Sequence, residues 1–565
     1  VPVMRRGALV VALAALTAPL LVAAPSVAAP AATGAPVTVS VVVPVTAPIG
    51  DGLLLDAAAL EAATSPSGVL TRELDEVLAT SATIALDPRI LASIRALGTS
   101  APDSAVEWLT RLETAPNEVF LLAYAGADPT SLVRAESLDL ADDLDLDFAI
   151  DPGNFGPAPT PTPTATETPD PTESATPDPT ETPADDAPPP LPTSEDLLAW
   201  PEAIGRIAWP ATGSARGGDL AAYVDAGYDG VLLNSANVSE TSDARADISG
   251  IRALIADSAA SDLFQQASTS VDDATRDQVL GRLHVALDGL AAAHPGRSVV
   301  LTLSRSSSFS FYGLAEAYAA LVQREGTQLS GLSGVLARPG DGALVVDGPD
   351  SPATQRTPDL VAALDAERRF ASILDDPLLL TSPRRLELLA LLAVPELDVA
   401  EWPSRADEFL ARSAEILASV SIVDTGDFFV ASSSTSIPIH VANALEFPVT
   451  VRLDVRPLRP RISIDSPVEV TIEPGSSKAV RLDAQAITNG DVVIVVSLTS
   501  PTTGVAIGQT RTFNVDLQAQ WETVGFIVGG VVVLVFAAGI VRNVVLRRRR
   551  GPDEADADEP AREGA

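Results

Sequence analysis

The sequence predicts an α/β domain followed by an all-β domain and one transmembrane helix, and three observations carry that expectation. β-branched runs alternate with helical patterns over residues 37–358, short alternating strands fill residues 419–519, and residues 524–541 contain no charge. With 565 residues and 46% apolar side chains, the chain has enough material for several cores. A net charge of −38 argues against a nucleic-acid partner, because a polyanion needs a basic footprint that releases counterions. No cysteine is present, so neither a disulfide framework nor a lipidated cysteine is expected.

The first element is an export signal over residues 4–28. Met4, Arg5 and Arg6 form a charged start, an apolar run follows, and small residues around SVAAP suit cleavage after Ala28. The α/β domain then begins over residues 37–155. Its strands read VTVSVVVPV (37–45), ATIALDP (82–88) and NEVFLLAY (117–124), with a short LDFAI segment (146–150). The second half, residues 194–358, continues with GRIAWP (205–210), DGVLLN (229–234), IRALIAD (251–257) and RSVVLTLS (297–304), and with ALVVDG (343–348) as a further short strand. About eight strands spaced by helices fit a parallel (β/α) barrel.

Between the halves lies a Pro/Thr tract, residues 156–193, which carries seven acidic and no basic residues. Proline blocks both helix and ladder, so the tract is expected to be extended, disordered and solvated, reaching on the order of 100 Å as polyproline II. Neither half supplies enough strands for a barrel alone. The tract therefore reads as a long insertion in one domain rather than a stalk between two.

Residues 359–418 read as a helical segment. Residues 419–519 change to alternation, with SIPIHVAN, FPVTVRLDV, PVEVTIEP, SKAVRLDA, DVVIVVSLTS and AIGQTRTFNVDL separated by turn signals such as EPGSS and Asn489-Gly490. An Ig-like β-sandwich close to the membrane is the natural reading. The apolar span at 524–541 is preceded by Trp521 and followed by Arg542 and by Arg547, Arg548, Arg549 and Arg550, which mark a cytoplasmic flank for the tail 542–565. Gly525 and Gly529 give the small-residue spacing that can bring two spans together as a weak homodimer.

In a parallel barrel the working face lies at the carboxyl ends of the strands. That places Thr46, Asp87, Tyr124, Asp128, Trp209, Asn234, Asp257 and Arg305 there. Tyr124, Trp209, Asn234 and Arg305 are binding candidates for a carbohydrate, offering aromatic surface, an amide and a cation. Asp87, Asp128 and Asp257 are the candidate catalytic carboxylates of a metal-independent hydrolase, which would need no histidine. Each also stands where a helix N-cap is expected, and Asp87-Pro88 and Asp128-Pro129 carry proline at the first helical position. The three histidines, His284, His294 and His440, pair at no metal spacing, and no G-x-S-x-G elbow follows a strand, so no cofactor or metal is expected. A non-catalytic binding protein is the leading reading and the hydrolase the alternative.

The succession VSVVVPVTAP, ATIALDPRILASI, VEWLTRLETAPNEVFLLAYAGADPTSLVRA, IAWPATG, GYDGVLLNSANV and ALIADSAASDLF, ending in IPIHVANALEFPVTVRLDV and a terminal span, resembles the actinobacterial domain-of-unknown-function family 6049. The likeness covers nearly the whole chain outside the signal. It implies an exported, single-span protein of the cell membrane with its bulk outside the cytoplasm. Genes of that family often stand beside one for a lipid II flippase-like membrane protein, which implies an envelope role with a cell-wall glycan or a peptidoglycan-associated membrane protein as partner. The barrel also resembles the polysaccharide deacetylase type. It departs from it at the first strand, which ends VVVPVTAP instead of in paired aspartates, and in lacking the H-x-x-x-H pair, so that the resemblance implies a lost hydrolytic centre.

Overall fold

Alternation of side chains between two cores along the almost wholly buried first strand sets the architecture. In β1 (Val37–Val45), Val37, Val39, Val41, Val43 and Val45 join a core formed with flanking helices, while Val42 faces a different core on the opposite side of the sheet. A strand apolar on both faces is expected where helices cover one face and the sheet curls over the other. The computed structural model describes residues 36–48, 50, 53–156, 190–305, 311–397, 399–518 and 521–549. The predicted export signal, nearly all of the Pro/Thr tract, Arg550 and the rest of the tail lie outside the described residues.

The remaining strands of this sheet are β2 (Thr83–Leu86), β3 (Val119–Leu121), β4 (Ile207–Ala208), β5 (Gly230–Asn234), β6 (Arg245–Ile248), β7 (Ile251–Ala256), β8 (Ser298–Thr302), β9 (Thr327–Leu329) and β10 (Asp341–Gly342). A parallel path runs β4-β5-β7-β8-β1-β2-β3, and β9 adds to β1. A single parallel bridge joins Val119 of β3 to Ala203, just ahead of β4, and the Ile204 N–H donates to the Val119 carbonyl at 2.9 Å. The sheet is thus strongly curled. Its concave side holds a small apolar core of Val42, Ala85, Phe120, Leu232, Leu254 and Val300, closed at the amino ends of the strands by Leu332 and Val335 of the short helix Leu332–Leu336.

Several expected strands take another form. The LDFAI stretch is a 3-10 turn, Asp147–Ala149, and ALVVDG contributes only an antiparallel bridge between Val345 and Val238. Both are too short of pairing partners to extend. β6 is an additional strand that pairs antiparallel with β7 through the tight turn Ser249-Gly250, both at positive φ (51° and 88°), a backbone that glycine tolerates at the second position.

The helical segment begins earlier than expected, at the helix Pro352–Phe370, and continues as Leu378–Leu391 and Trp402–Ala418. Leu360, Leu364, Leu389, Trp402 and Phe409 share a core with β5 and β7 of the curled sheet, so these helices cover that sheet's outer face. Arg384 fixes them to one another. Its guanidinium donates to both oxygens of buried Glu367 at 3.0–3.2 Å and lies 3.9 Å from the centroid of the Phe409 ring.

Beyond them, β11 (Val420–Ile422), β12 (Phe428–Val430), β13 (Ser434–Asn443), β14 (Val449–Pro457), β15 (Ile462–Ile464), β16 (Val468–Ile472), β17 (Ser476–Ala486), β18 (Gly490–Thr499) and β19 (Ala506–Leu517) form two sheets, ordered β11-β13-β17-β15 and β12-β19-β18-β14-β16. Alternate residues such as Ile437, Ile439 and Val441, or Val492, Ile494 and Val496, fill one core between them. The turns at EPGSS and Asn489-Gly490 carry the chain from one sheet to the other, with Gly475 and Gly490 at positive φ (57° and 117°). The last helix, Trp521–Arg548, contains the segment Gly525–Arg548, with a mean hydropathy of 2.3; it is long and apolar enough to cross a membrane.

Candidate functional site

Because the central strands run parallel, their carboxyl ends share one edge of the sheet. β4 delivers Trp209, β5 ends at Asn234, and β8 runs on to Arg305. These three line one cavity of about 670 Å³ together with Asp128, Gln265 and Thr302. Its wall on one side is built from the helical segment, through Val394, Pro395 and Leu397. That wall is tied to the sheet by the Asp128 N–H, which donates to the Leu392 carbonyl at 2.8 Å, and by an antiparallel bridge between Ala127 and Ala393.

Arg305 is 5% exposed. Its guanidinium donates to the Pro210 carbonyl at 2.9 Å and lies 4.9 Å from the Trp209 ring centroid. Desolvation pulls its pKa down to about 10, partly opposed by the negative charge of Asp128. Trp209 also packs on Phe120, with ring centroids 6.5 Å apart. One face of the indole is therefore covered by the guanidinium, while Trp209 still lines the cavity.

The carboxylates are engaged as caps. Asp128 accepts from the N–H groups of Thr130 (3.3 Å), Ser131 (3.0 Å) and Ala211 (2.9 Å) and from the Ser131 hydroxyl (2.8 Å). Asp87, buried at the ends of β1, β2 and β3, accepts from the N–H groups of Arg89 (2.9 Å), Ala125 (3.0 Å) and Ala47 (3.3 Å). Burial raises its pKa, and these N–H donors work against that shift. Asp257 accepts the Ala260 N–H at 2.9 Å at the start of the helix Ser258–Thr269. Each of the three carboxylates is turned to its own helix start, and of the three only Asp128 lines the cavity.

Other expected residues lie elsewhere. Tyr124 is buried in the core beneath the helices and borders a separate groove of about 1130 Å³, shared with Asp142, Asp147, Glu195, Arg206 and Tyr228. Thr46 borders a pocket of about 20 Å³ beside Arg89, Arg305 and Glu396. Asn234 accepts the Ala236 N–H at 2.9 Å and so shapes the turn after β5. Trp521, Arg542, Arg547 and Arg548 belong to the last helix, and Arg549 follows it. Sequence reasoning missed Gln265. Its side-chain carbonyl accepts the Ser304 N–H at 2.8 Å, one turn beyond Ser261, whose hydroxyl accepts the Thr302 N–H at 3.1 Å. Its buried amide nitrogen has no partner among the described residues. The visible signal was a polar pair at i, i+4 on the face of a helix that should pack against the sheet.

Against this geometry stand the known proteins. A model of a family of unknown function, DUF6049, matches residues 16–554. The chain belongs to this family. No curated protein matches the DUF6049 chain. Solved structures similar to it include trypsin-activated alpha-2-macroglobulin from Escherichia coli, at 15% identity and TM-score 0.15, covering 18% of this chain and 7% of that one. SSP-19, an MSP-domain protein of Caenorhabditis elegans, is 19% identical with a TM-score of 0.14, covering 16% and 94% of the two chains. A FixG-related protein from Vibrio parahaemolyticus is 20% identical with a TM-score of 0.14, covering 17% and 92%. These likenesses involve under a fifth of the DUF6049 chain, and the chain spans only a small part of the first of these proteins.

Proposed function

We propose that this DUF6049 chain is a non-catalytic binding protein of the cell envelope, anchored by its last helix, with its bulk outside the cytoplasm. In this reading the curled sheet closes as a (β/α) barrel through the Val119–Ala203 bridge, and the Ig-like sandwich spaces it from the membrane. Arginines 547–549 at the end of the apolar helix support a cytoplasmic tail. Gly525 and Gly529, four residues apart on that helix, support weak pairing of two spans.

The observation that carries the reading is the cavity at the strand ends, where a buried arginine faces open space while Asp128 has its lone pairs filled by four donors. Such a site recognises a polar ligand without machinery to cleave it. An envelope glycan fits the mixture of hydroxyl, amide and guanidinium donors, and a membrane-protein partner is the alternative occupant of the same face. Co-sedimentation of the detergent-solubilised chain with purified cell wall tests this. Retention on the wall supports the proposal; no retention, together with release of reducing ends from a glycan, refutes it in favour of hydrolysis.

A further inference from the structure

Among the described residues, the single hydrogen bond from the Arg305 guanidinium goes to the Pro210 carbonyl, although the group carries five N–H donors. Among the described residues it makes no ion pair. Of the other carboxylates around it, Asp350 pairs with Arg134 at 3.0 Å and Arg216 at 2.9 Å, and Glu396, across the small adjoining pocket, pairs with Arg405 through one oxygen while its second oxygen is buried with no partner among the described residues. Asp128 touches the field of Arg305 but spends its lone pairs on Thr130, Ser131 and Ala211. Asp262 stands exposed on the rim. A few residues away along the same wall, the Gln265 amide nitrogen is buried with no acceptor.

A buried cation without an ion pair among the described residues and a buried amide donor without an acceptor line one cavity, and an acceptor oxygen carrying negative charge would serve both. Building on the glycan reading above, we infer that the cavity takes a saccharide bearing a carboxylate, received by Arg305 with Gln265 as second donor. The planar guanidinium matches a carboxylate through two parallel N–H···O bonds, while the covered Trp209 ring holds it in place. The hydroxyl of Thr302 at the mouth of β8 suits the neutral sugar hydroxyls.

The test uses the full chain in detergent and three probes: glycan strands stripped of peptide, which carry a free carboxylate on alternate sugars; the same strands after carboxyl reduction; and inorganic phosphate as a competitor. The acidic strands should bind at least about ten-fold more tightly than the reduced ones, the scale of a charge-assisted hydrogen bond. Arg305→Gln and Gln265→Glu should both abolish that preference. Gln265→Glu keeps the acceptor for Ser304 and serves as the second variant should Arg305→Gln melt early. Equal binding of both strands overturns the carboxylate inference and leaves the glycan reading standing. Binding of neither strand overturns the inference, and retention on whole wall then decides the broader reading separately. Binding of phosphate with no binding of acidic strands also overturns it.

Discussion

A single glutamate should make the stability of this protein depend on pH. The helix Val69–Leu78 packs Leu70, Leu74 and Val77 into the core beside β1, and Glu73 occupies the same stripe, 7% exposed. Burial pushes its carboxyl up from 4.5 to about 8, with Arg72 opposing. Below pH 4.5 the group is protonated in folded and unfolded chains alike. Above it the unfolded chain ionises while the folded chain keeps the proton, so stability falls as pH rises and levels off above about 8. The loss over that window is on the order of 5 kcal/mol, a large fraction of the 5–15 kcal/mol typical of a domain.

Glu73→Gln removes the titration and keeps the shape, so the variant should overtake the wild type between pH 5 and 8.5 by roughly that amount. Asp87, whose carboxyl is also raised by burial, shifts both proteins with the same sign, and the difference between them isolates Glu73. The assay is urea unfolding followed by tryptophan fluorescence. Trp108 reports on this helix directly, since it is 1% exposed and its indole N–H donates to the Leu70 carbonyl at 2.9 Å. Wild-type and variant midpoints that stay parallel from pH 5 to 8.5 would refute the reasoning.

Asp87→Ala strips three N–H groups of their acceptor and should cost about 2–4 kcal/mol, read as a lower urea midpoint. Arg384→Met leaves Glu367 buried and unpaired, at a cost of about 3–5 kcal/mol by chemical denaturation, and adding Glu367→Leu should recover most of it. Replacing residues 157–189 by a short Gly/Ser linker should change the thermal midpoint little, because loop length enters stability only logarithmically. Expressing residues 36–156 and 190–549 separately should give aggregating pieces, seen by size-exclusion chromatography, since β1 pairs with β8 and β9 of the other piece.

Legibility in the sequence followed how local each signal was. Long strands, β1, β13, β18 and β19, were visible because each runs for nine to twelve residues, with period-two burial along β13 and β18 and a nearly continuous buried run in β1. Short elements were not: β9, β10, β11 and β12 are two or three residues long and exist only through their partners. The helical segment looked independent because each helix is amphipathic, and amphipathicity does not say what the apolar face meets. At the site, the strand-to-loop positions of Trp209, Asn234 and Arg305 could be counted along the chain. Gln265 could not, because its role depends on a helix returning its polar pair to the end of β8.

The cavity also explains why the Pro/Thr tract can stand where it does. Asp128 comes from before the tract, Trp209, Asn234, Gln265 and Arg305 from after it, and Val394, Pro395 and Leu397 from the helical segment. No one of these segments builds the site. The Ala211 N–H closes on Asp128 across the tract, and the Leu392 carbonyl receives the Asp128 N–H from the far side. A tether between two independently folded domains would leave Asp128 and Arg305 free to separate. Strands from both sides interleaved in one sheet fix them at a common edge, so whatever binds there depends on the two halves folding as one.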